Sequence, residues 1–234
     1  MAFFVVEGNI GAGKSTFLKK MGALLKTHVV FESLEAWQNV GGENLFDAYY
    51  KDGKRWNYTF QTYAFMTRIM SLEEHMRKSN KPFILAERSV FADYCFAENA
   101  YELGMMTNLE WALYNDWFGW FVENRVEKPA GFIYLRAEPE ICFGRLTKRN
   151  RIEEKLVSLD YLQLLHKKHE SWLIHKRDVF SFVQEVPVLV LDCDQDFESD
   201  EQLQQCHAER VAEFVSSYTG LPTSETLVAS QTRL

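Results

Sequence analysis

Residues 8 to 16 read Gly-Asn-Ile-Gly-Ala-Gly-Lys-Ser-Thr and follow directly on the apolar run Phe3-Phe4-Val5-Val6. This is the Gly-x4-Gly-Lys-Ser spacing of a phosphate loop, which has to sit between a strand and the start of a helix. Gly8, Gly11 and Gly13 let the chain turn tightly, so the N–H groups from Asn9, Ile10 and Ala12 onward to Thr16 can point inward at phosphate oxygens. Lys14 then reaches the outer phosphates, Ser15 offers a hydroxyl to Mg²⁺, and the following helix aims its positive end at the anion. A glycine-rich turn that binds nothing is the bland alternative, and the flanking strand and helix argue against it. The expected ligand is a nucleoside triphosphate with Mg²⁺.

A phosphate loop names the donor and leaves the acceptor open. In open α/β sheets, ligands sit beyond the carboxyl ends of the strands. Three such ends carry ionisable groups here: Glu32, Glu87-Arg88-Ser89 and Asp192. Phosphoryl transfer to a hydroxyl calls for a base, a metal ligand and cations along the moving phosphate. Glu32 and Glu87 can supply the first two, in either order, and Arg88 the third. The most basic segment places Arg145, Lys148, Arg149 and Arg151 within seven residues of an acidic chain. It is either a solvated face paired with Glu153 and Glu154 or a lid over the triphosphate. Its place after the fourth strand, on the ligand side, favours the lid. His166-x-x-His169 has no third ligand at sensible spacing and reads as core or surface histidines. Asp192-x-Asp194-x-Asp196 begins like a calcium loop, but Phe197 stands where glycine is required and Leu203 where the closing Glu belongs.

Five continuous apolar runs (3–7, 28–33, 82–87, 131–136 and 187–192) read as strands covered on both faces. Helical pattern fills the gaps. The fold class expected is therefore α/β, a three-layer P-loop NTPase fold with a five-stranded parallel sheet and an arginine-rich lid. Residues 55–79 lack Pro and Gly and suit a seven-turn helix. Residues 107–126 carry Leu109, Leu113, Trp117 and Trp120/Phe121 at helical spacing. A helix starts near Glu138-Pro139-Glu140, with proline and acids in its first turn. The span 158–176 puts Leu162, Leu165, His169 and Trp172 on one face. One domain over 1–219 and a frayed tail over 220–234 are expected.

The 234 residues are 47% hydrophobic and 25% charged, as in an ordinary globular protein with one core. A net charge of −7 argues against general nucleic-acid binding. No apolar stretch approaches the ~20 residues of a membrane span. Cys95, Cys142, Cys193 and Cys206 lack metal or redox spacing and suit reduced thiols in cytoplasm, with a mitochondrial location after transit-peptide removal kept open. The final Thr232-Arg233-Leu234 is a poor match to a peroxisomal address.

Taken together, these residues resemble the deoxynucleoside kinases from about residue 3 to 218. The likeness is carried by Glu7-Gly-Asn-Ile-Gly-Ala-Gly-Lys-Ser-Thr16, Arg55-Trp56, Thr59-Phe-Gln-Thr-Tyr63, Glu87-Arg-Ser89, Leu109-Glu-Trp111, Tyr134-Leu-Arg136 and His169-Glu-Ser-Trp172. The resemblance implies that Glu32 accepts the proton of a nucleoside 5′-hydroxyl and that Glu87 helps Ser15 hold Mg²⁺, with Glu87 as base the alternative. It implies further that Arg88 stabilises the 5′-oxygen, Gln61 bonds the base edge, Phe96 and Trp37 wall the base, and Tyr50 and Glu154 hold the 3′-hydroxyl. Arg145, Arg149 and Arg151 match the lid arginines, and Asp196-Phe197 the loop beside the donor adenine. Arg68 and Asp93, with small Ala64, look like the deoxycytidine and purine branch. Deoxyadenosine, deoxyguanosine and deoxycytidine are thus expected over thymidine. A thymidine-preferring or broad kinase, or a non-catalytic relative serving as a complex subunit, is the alternative. Small-molecule partners and a homodimer are implied, the latter by resemblance only. Two departures stand out. Ser33 follows Glu32 where the family usually has proline. Tyr94-Cys95-Phe96 is one residue short of the family pattern and lacks its arginine. One residue rotates a helix by about 100°, so Phe96 and Asp93 are the positions a structure has to place.

Overall fold

The computed structural model describes residues 1–177 and 180–223. In chain order the elements are β1 (Ala2–Glu7), α1 (Lys14–Leu24), β2 (His28–Val30), α2 (Leu34–Gln38), α3 (Leu45–Lys51) and α4 (Gly53–Lys78). Next come β3 (Phe83–Glu87), α5 (Val90–Glu102), α6 (Asn108–Asn124), β4 (Gly131–Arg136) and α7 (Pro139–Arg149). A 3₁₀ turn (Glu153–Leu156), α8 (Leu159–His169), a π turn (Glu170–Ile174), α9 (Ser181–Gln184), β5 (Val188–Asp192) and α10 (Glu201–Thr219) follow among the described residues.

All five strands are parallel, in the order β2-β3-β1-β4-β5. The three central strands are apolar up to their last residues because both of their faces are covered. Phe4, Val6, Leu85, Ile133 and Leu135 face one core with α1, α8 and α10. Phe3, Val5, Ile84, Ala86, Phe132 and Tyr134 face the other, with α4, α5 and α6. This alternation with period two across a fully apolar run is what a three-layer sandwich needs. The chain leaves β1 toward β2 and leaves β3 toward β4, on opposite sides. The crevice between those two strand ends is therefore the switch point where ligands are bound. Gly8 and Arg88 flank it, since Val6 lies opposite Glu87 in the register.

Two expectations need correction, and one helix makes a choice of face that its spacing left open. The second strand stops at Val30 rather than residue 33. It is an edge strand, and beyond it the Glu32 N–H turns to the Glu87 carboxylate at 3.5 Å instead of a strand partner. On α6 the face at helical spacing points outward: Leu109 is 71% exposed and Trp117 and Trp120 each 52%. The helix has a second apolar face, Tyr114, Phe118 and Val122, and that one meets the core. The span 158–176 is not one regular helix, because α8 passes into a π turn over Glu170–Ile174. Leu162, Leu165, His169 and Trp172 are nevertheless all buried as expected.

α10 ends at Thr219, and Gly220 adopts φ 72 as its left-handed cap. Residues 224–234, which include most of the expected tail and Thr232-Arg233-Leu234, lie outside the described residues. No helix among the described residues is long and apolar enough to cross a membrane.

Candidate active site

The phosphate loop runs from the end of β1 into α1, as its sequence requires. Gly11 takes φ 84, and a Cβ there would collide with the Cys142 carbonyl of α7, so only glycine lets the loop approach that helix. Asn9 is buried and holds the loop in place: its Oδ1 accepts from Ile10 N at 2.9 Å and its Nδ2 donates to Leu162 O at 2.9 Å. Lys14 is folded back on the loop, donating to Gly8 O at 3.1 Å and Asn9 O at 2.7 Å. Burial of its ammonium, with Arg88 beside it, lowers its pKa to about 7. Ser15 is exposed at the mouth of the loop and donates to both oxygens of Glu87, at 2.9 and 3.1 Å.

Glu87, Arg88 and Ser89 form a sharp corner after β3. Arg88 sits at φ 60, a left-handed conformation costly for a side chain with a Cβ. Three bonds hold it there. Its N–H donates to Val6 O at 3.0 Å, its guanidinium donates to Gly8 O at 3.0 Å, and the next residue is tied to Glu7. Glu7 Oε1 accepts from Ser89 N at 2.8 Å and Ser89 Oγ at 2.5 Å, while its Oε2 is buried without a partner. Burial pushes the Glu7 carboxyl up to about 7 against the pull of these bonds. Sequence reading quoted Glu7 only as part of a motif; an acid ending an otherwise apolar strand was the available signal.

Arg68 of α4 links two acids. Its guanidinium takes Asp93 in a two-pronged pair at 2.6 and 2.8 Å and donates to Glu32 Oε1 at 2.9 Å. Arg88 Nε lies 3.5 Å from the same Glu32 oxygen. Burial alone would raise the pKa of Glu32, but Arg68, Arg88 and Lys14 outweigh it and hold the carboxyl below its ordinary value. Burial pushes Asp93 up, against the pull of Arg68.

One small cavity, about 70 Å³, collects Glu32, Trp37, Tyr50, Gln61, Arg68, Arg88, Asp93, Phe96 and Glu154, all nine residues predicted for the acceptor. Phe96 is in place despite the shortened stretch, with the Arg88 guanidinium 4.9 Å above its ring. Trp37 is buried, donating from Nε1 to Thr67 Oγ1 at 2.9 Å. Sequence reading missed Phe46, Tyr49 and Phe60, which complete the aromatic wall. Tyr49 stacks on Phe60 at 4.4 Å. The signal for these was available: Phe46, Tyr49 and Tyr50 share a face of α3, and Phe60, Gln61, Ala64 and Arg68 a face of α4.

A second pocket is lined by Gly11, Gly13, Thr16, Arg145, Arg149, Asp196 and Phe197, together with Ile141, Lys148, Asp194 and Glu198. Arg145 donates to Asp194 O at 3.3 Å and Gln195 O at 2.9 Å, fastening α7 to the Asp196-Phe197 loop. Arg149 and Arg151 both pair with Glu154, Arg151 at 2.9 Å. Arg151, expected with the lid arginines, lines the first cavity beside Glu154 and not the second pocket. The three aspartates of the apparent calcium loop serve backbone turns. Asp192, Asp194 and Asp196 accept from the N–H groups of Asp194, Glu138 and Glu198 at 3.0, 2.8 and 3.0 Å. His169 is a core histidine: Nδ1 donates to Leu165 O at 2.7 Å, and burial pulls its pKa down to about 3.

Two pockets thus meet at the switch point. One is bordered by the glycine loop and by Arg145 and Arg149; the other is a small aromatic chamber that holds Glu32 and Arg88. Comparison with known proteins gives the same pairing a family. Residues 4–216 match the family described as deoxynucleoside kinase. Human deoxycytidine kinase is 39% identical over 238 residues, covering 91% of this chain and 90% of that relative. Deoxycytidine kinase 1 of Xenopus laevis is 38% identical, covering 91% and 89%. The mitochondrial deoxyguanosine kinase of Xenopus laevis is 39% identical, covering 90% and 88%. The chain is an enzyme that phosphorylates deoxynucleosides, and it belongs to the deoxynucleoside kinase family.

Proposed function

We propose that this kinase moves the terminal phosphate of an NTP onto the 5′-hydroxyl of deoxycytidine, deoxyguanosine or deoxyadenosine in preference to thymidine. The observation that carries the reading is the Arg68–Asp93 pair at the back of the acceptor cavity, 8% and 4% exposed. A buried ion pair can donate to and accept from an exocyclic amino or keto group. An analogue lacking the matching atom leaves that pair unpartnered and is rejected strongly. The deoxycytidine and deoxyguanosine kinases among the relatives support the same preference.

Glu32 serves as the base and Arg88 stabilises the transferring phosphate. Glu32 lines the acceptor cavity whereas Glu87 faces Ser15, which supports this division of labour between the two carboxylates. Lys14 rises from its resting bonds to meet the outer phosphates. Ser15 and Glu87 offer hard oxygen donors side by side, a set that suits Mg²⁺ held also by substrate phosphates. Bound there, the metal would neutralise charge on the phosphates. Arg145 and Arg149, with the Asp196-Phe197 loop, enclose the donor; Tyr50 and Glu154 take the sugar 3′-hydroxyl, and Gln61 the base edge. Four free thiols, three of them buried, support a reducing compartment such as the cytosol. The outward stripe Leu109, Leu113, Trp117 and Trp120, with Met66 and Met70 of α4, supports a homodimer through this surface.

The test is a radiolabelled assay of the four natural deoxynucleosides with ATP and UTP as donors, repeated on the Arg68→Met/Asp93→Ala double variant. Thymidine should be the poorest of the four for the natural chain and gain relative to deoxycytidine in the variant. Equal preference in both enzymes would mean that other residues choose the base.

A further inference from the structure

Glu153 and Glu154 are consecutive residues of one 3₁₀ turn, yet their carboxylates serve opposite sides of the site. Glu154 is buried, lines the acceptor cavity and pairs with Arg149 and Arg151. Arg149 also lines the donor pocket. Glu153 points the other way: its Oε1 accepts from Gln38 Nε2 of α2 at 2.8 Å and from Asn44 Nδ2 at 3.4 Å. Asn44 is the cap of α3, using its own Oδ1 to accept from Asp47 N at 2.8 Å. Those two helices carry Trp37, Phe46, Tyr49 and Tyr50, which roof the acceptor cavity.

A continuous path therefore runs from the roof of one pocket to the wall of the other: α2 and α3, Glu153, the 3₁₀ turn, Glu154, Arg149. Its links are polar and directional, and a turn of four residues leaves little slack between them. Any shift of α2 and α3 either carries Glu153 with it or breaks its two bonds. Burial would raise the Glu153 carboxyl, but its own backbone N–H, Gln38, Asn44 and Arg151 hold it below the ordinary range, so it accepts as an anion. In the sequence Glu153 counted only as a neighbour for basic side chains.

We infer that Glu153 is a positioning residue that couples closure of the nucleoside roof to the placement of the lid arginines, so that each substrate tightens the other. The inference rests on the proposed assignment of the two pockets. Coupling between sites is a free energy and is reciprocal: the factor by which nucleoside tightens donor must equal that by which donor tightens nucleoside.

The experiment is calorimetric binding of a non-hydrolysable ATP analogue with Mg²⁺, with and without saturating deoxycytidine, and the reverse titration. The natural chain should show a factor of about five or more in both directions. Glu153→Ala should bring it near one while each ligand still binds alone. Glu153→Gln, which keeps an acceptor oxygen, should retain most of it. From the other side, Gln38→Ala/Asn44→Asp keeps the α3 cap but removes both donors, and should also lower the factor. That variant carries the test if Glu153→Ala does not fold. A natural chain without coupling, or a factor unmoved in either disconnected variant, overturns the inference and leaves the pocket assignment standing. Failure of the natural chain to bind deoxycytidine or the analogue overturns the assignment and the inference together.

Discussion

At the scale of single residues, the site is a set of charges kept in balance by burial. Glu32 is ionised because two arginines and a lysine outweigh the effect of its burial, so in its proposed role as base it relies on position rather than on a raised proton affinity. Glu32→Gln should lower kcat about 100-fold or more with little change in the nucleoside KM, read by steady-state kinetics. A near-normal rate would move the role of base to Glu87. Glu7 presents the opposite case, an acid whose folded pKa is raised from 4.5 to about 7. The folded chain keeps this proton longer than the unfolded chain. Its contribution is therefore complete below pH 4.5 and declines as pH rises to 7. Glu7→Gln does not titrate, so its stability relative to the natural chain should improve with pH across that window, by an amount on the order of 3 kcal/mol. Urea unfolding at pH 5, 6.5 and 8 measures it, and a pH-independent difference would show Glu7 ionised at the Ser89 corner. Taking the difference matters because neutral His169 gives the natural chain an opposite slope below pH 6.5.

At the scale of elements, two strand ends and two helix starts do the positioning. The loop after β1 and the corner after β3 are adjacent because the register sets Val6 against Glu87. The loop in turn rests on α7 at Gly11, and α7 carries Arg145 and Arg149. Gly11→Ala places a Cβ against the Cys142 carbonyl and an L side chain at φ 84. The strain costs about 1–2 kcal/mol and should raise the donor KM roughly tenfold. Nucleoside binding, measured alone by calorimetry, should stay as it was; a matching loss there would mean that the whole switch point had shifted. Helix α6 shows where pattern stops short of structure. Its sequence carries two apolar faces, and periodicity weighs them equally. The capping box of Thr107 and Glu110 sets where the helix begins, not which face it buries.

At the scale of the whole molecule, the outward face of α6 and the exposed Met66 and Met70 of α4 are left uncovered by the described residues. Sedimentation velocity should find a dimer at micromolar concentration, and Trp117→Glu should convert it to a monomer that keeps its fold by circular dichroism. A natural chain that sediments as a monomer would remove the dimer. The sequence alone determined the phosphate loop and the parallel sheet, and it singled out the residues from Glu32 to Glu154 that prove to line one cavity. These depend on local spacing, on apolar runs long enough to be strands, and on residue types tied to their neighbours along the chain. Only the tertiary structure decided that Arg68 reaches Glu32 as well as Asp93, that Glu7 anchors the Arg88 corner and that Glu153 reaches Gln38 and Asn44. Each depends on a contact between residues far apart in the chain. Such contacts form only when packing brings distant backbones within the few ångströms that a hydrogen bond or an ion pair requires.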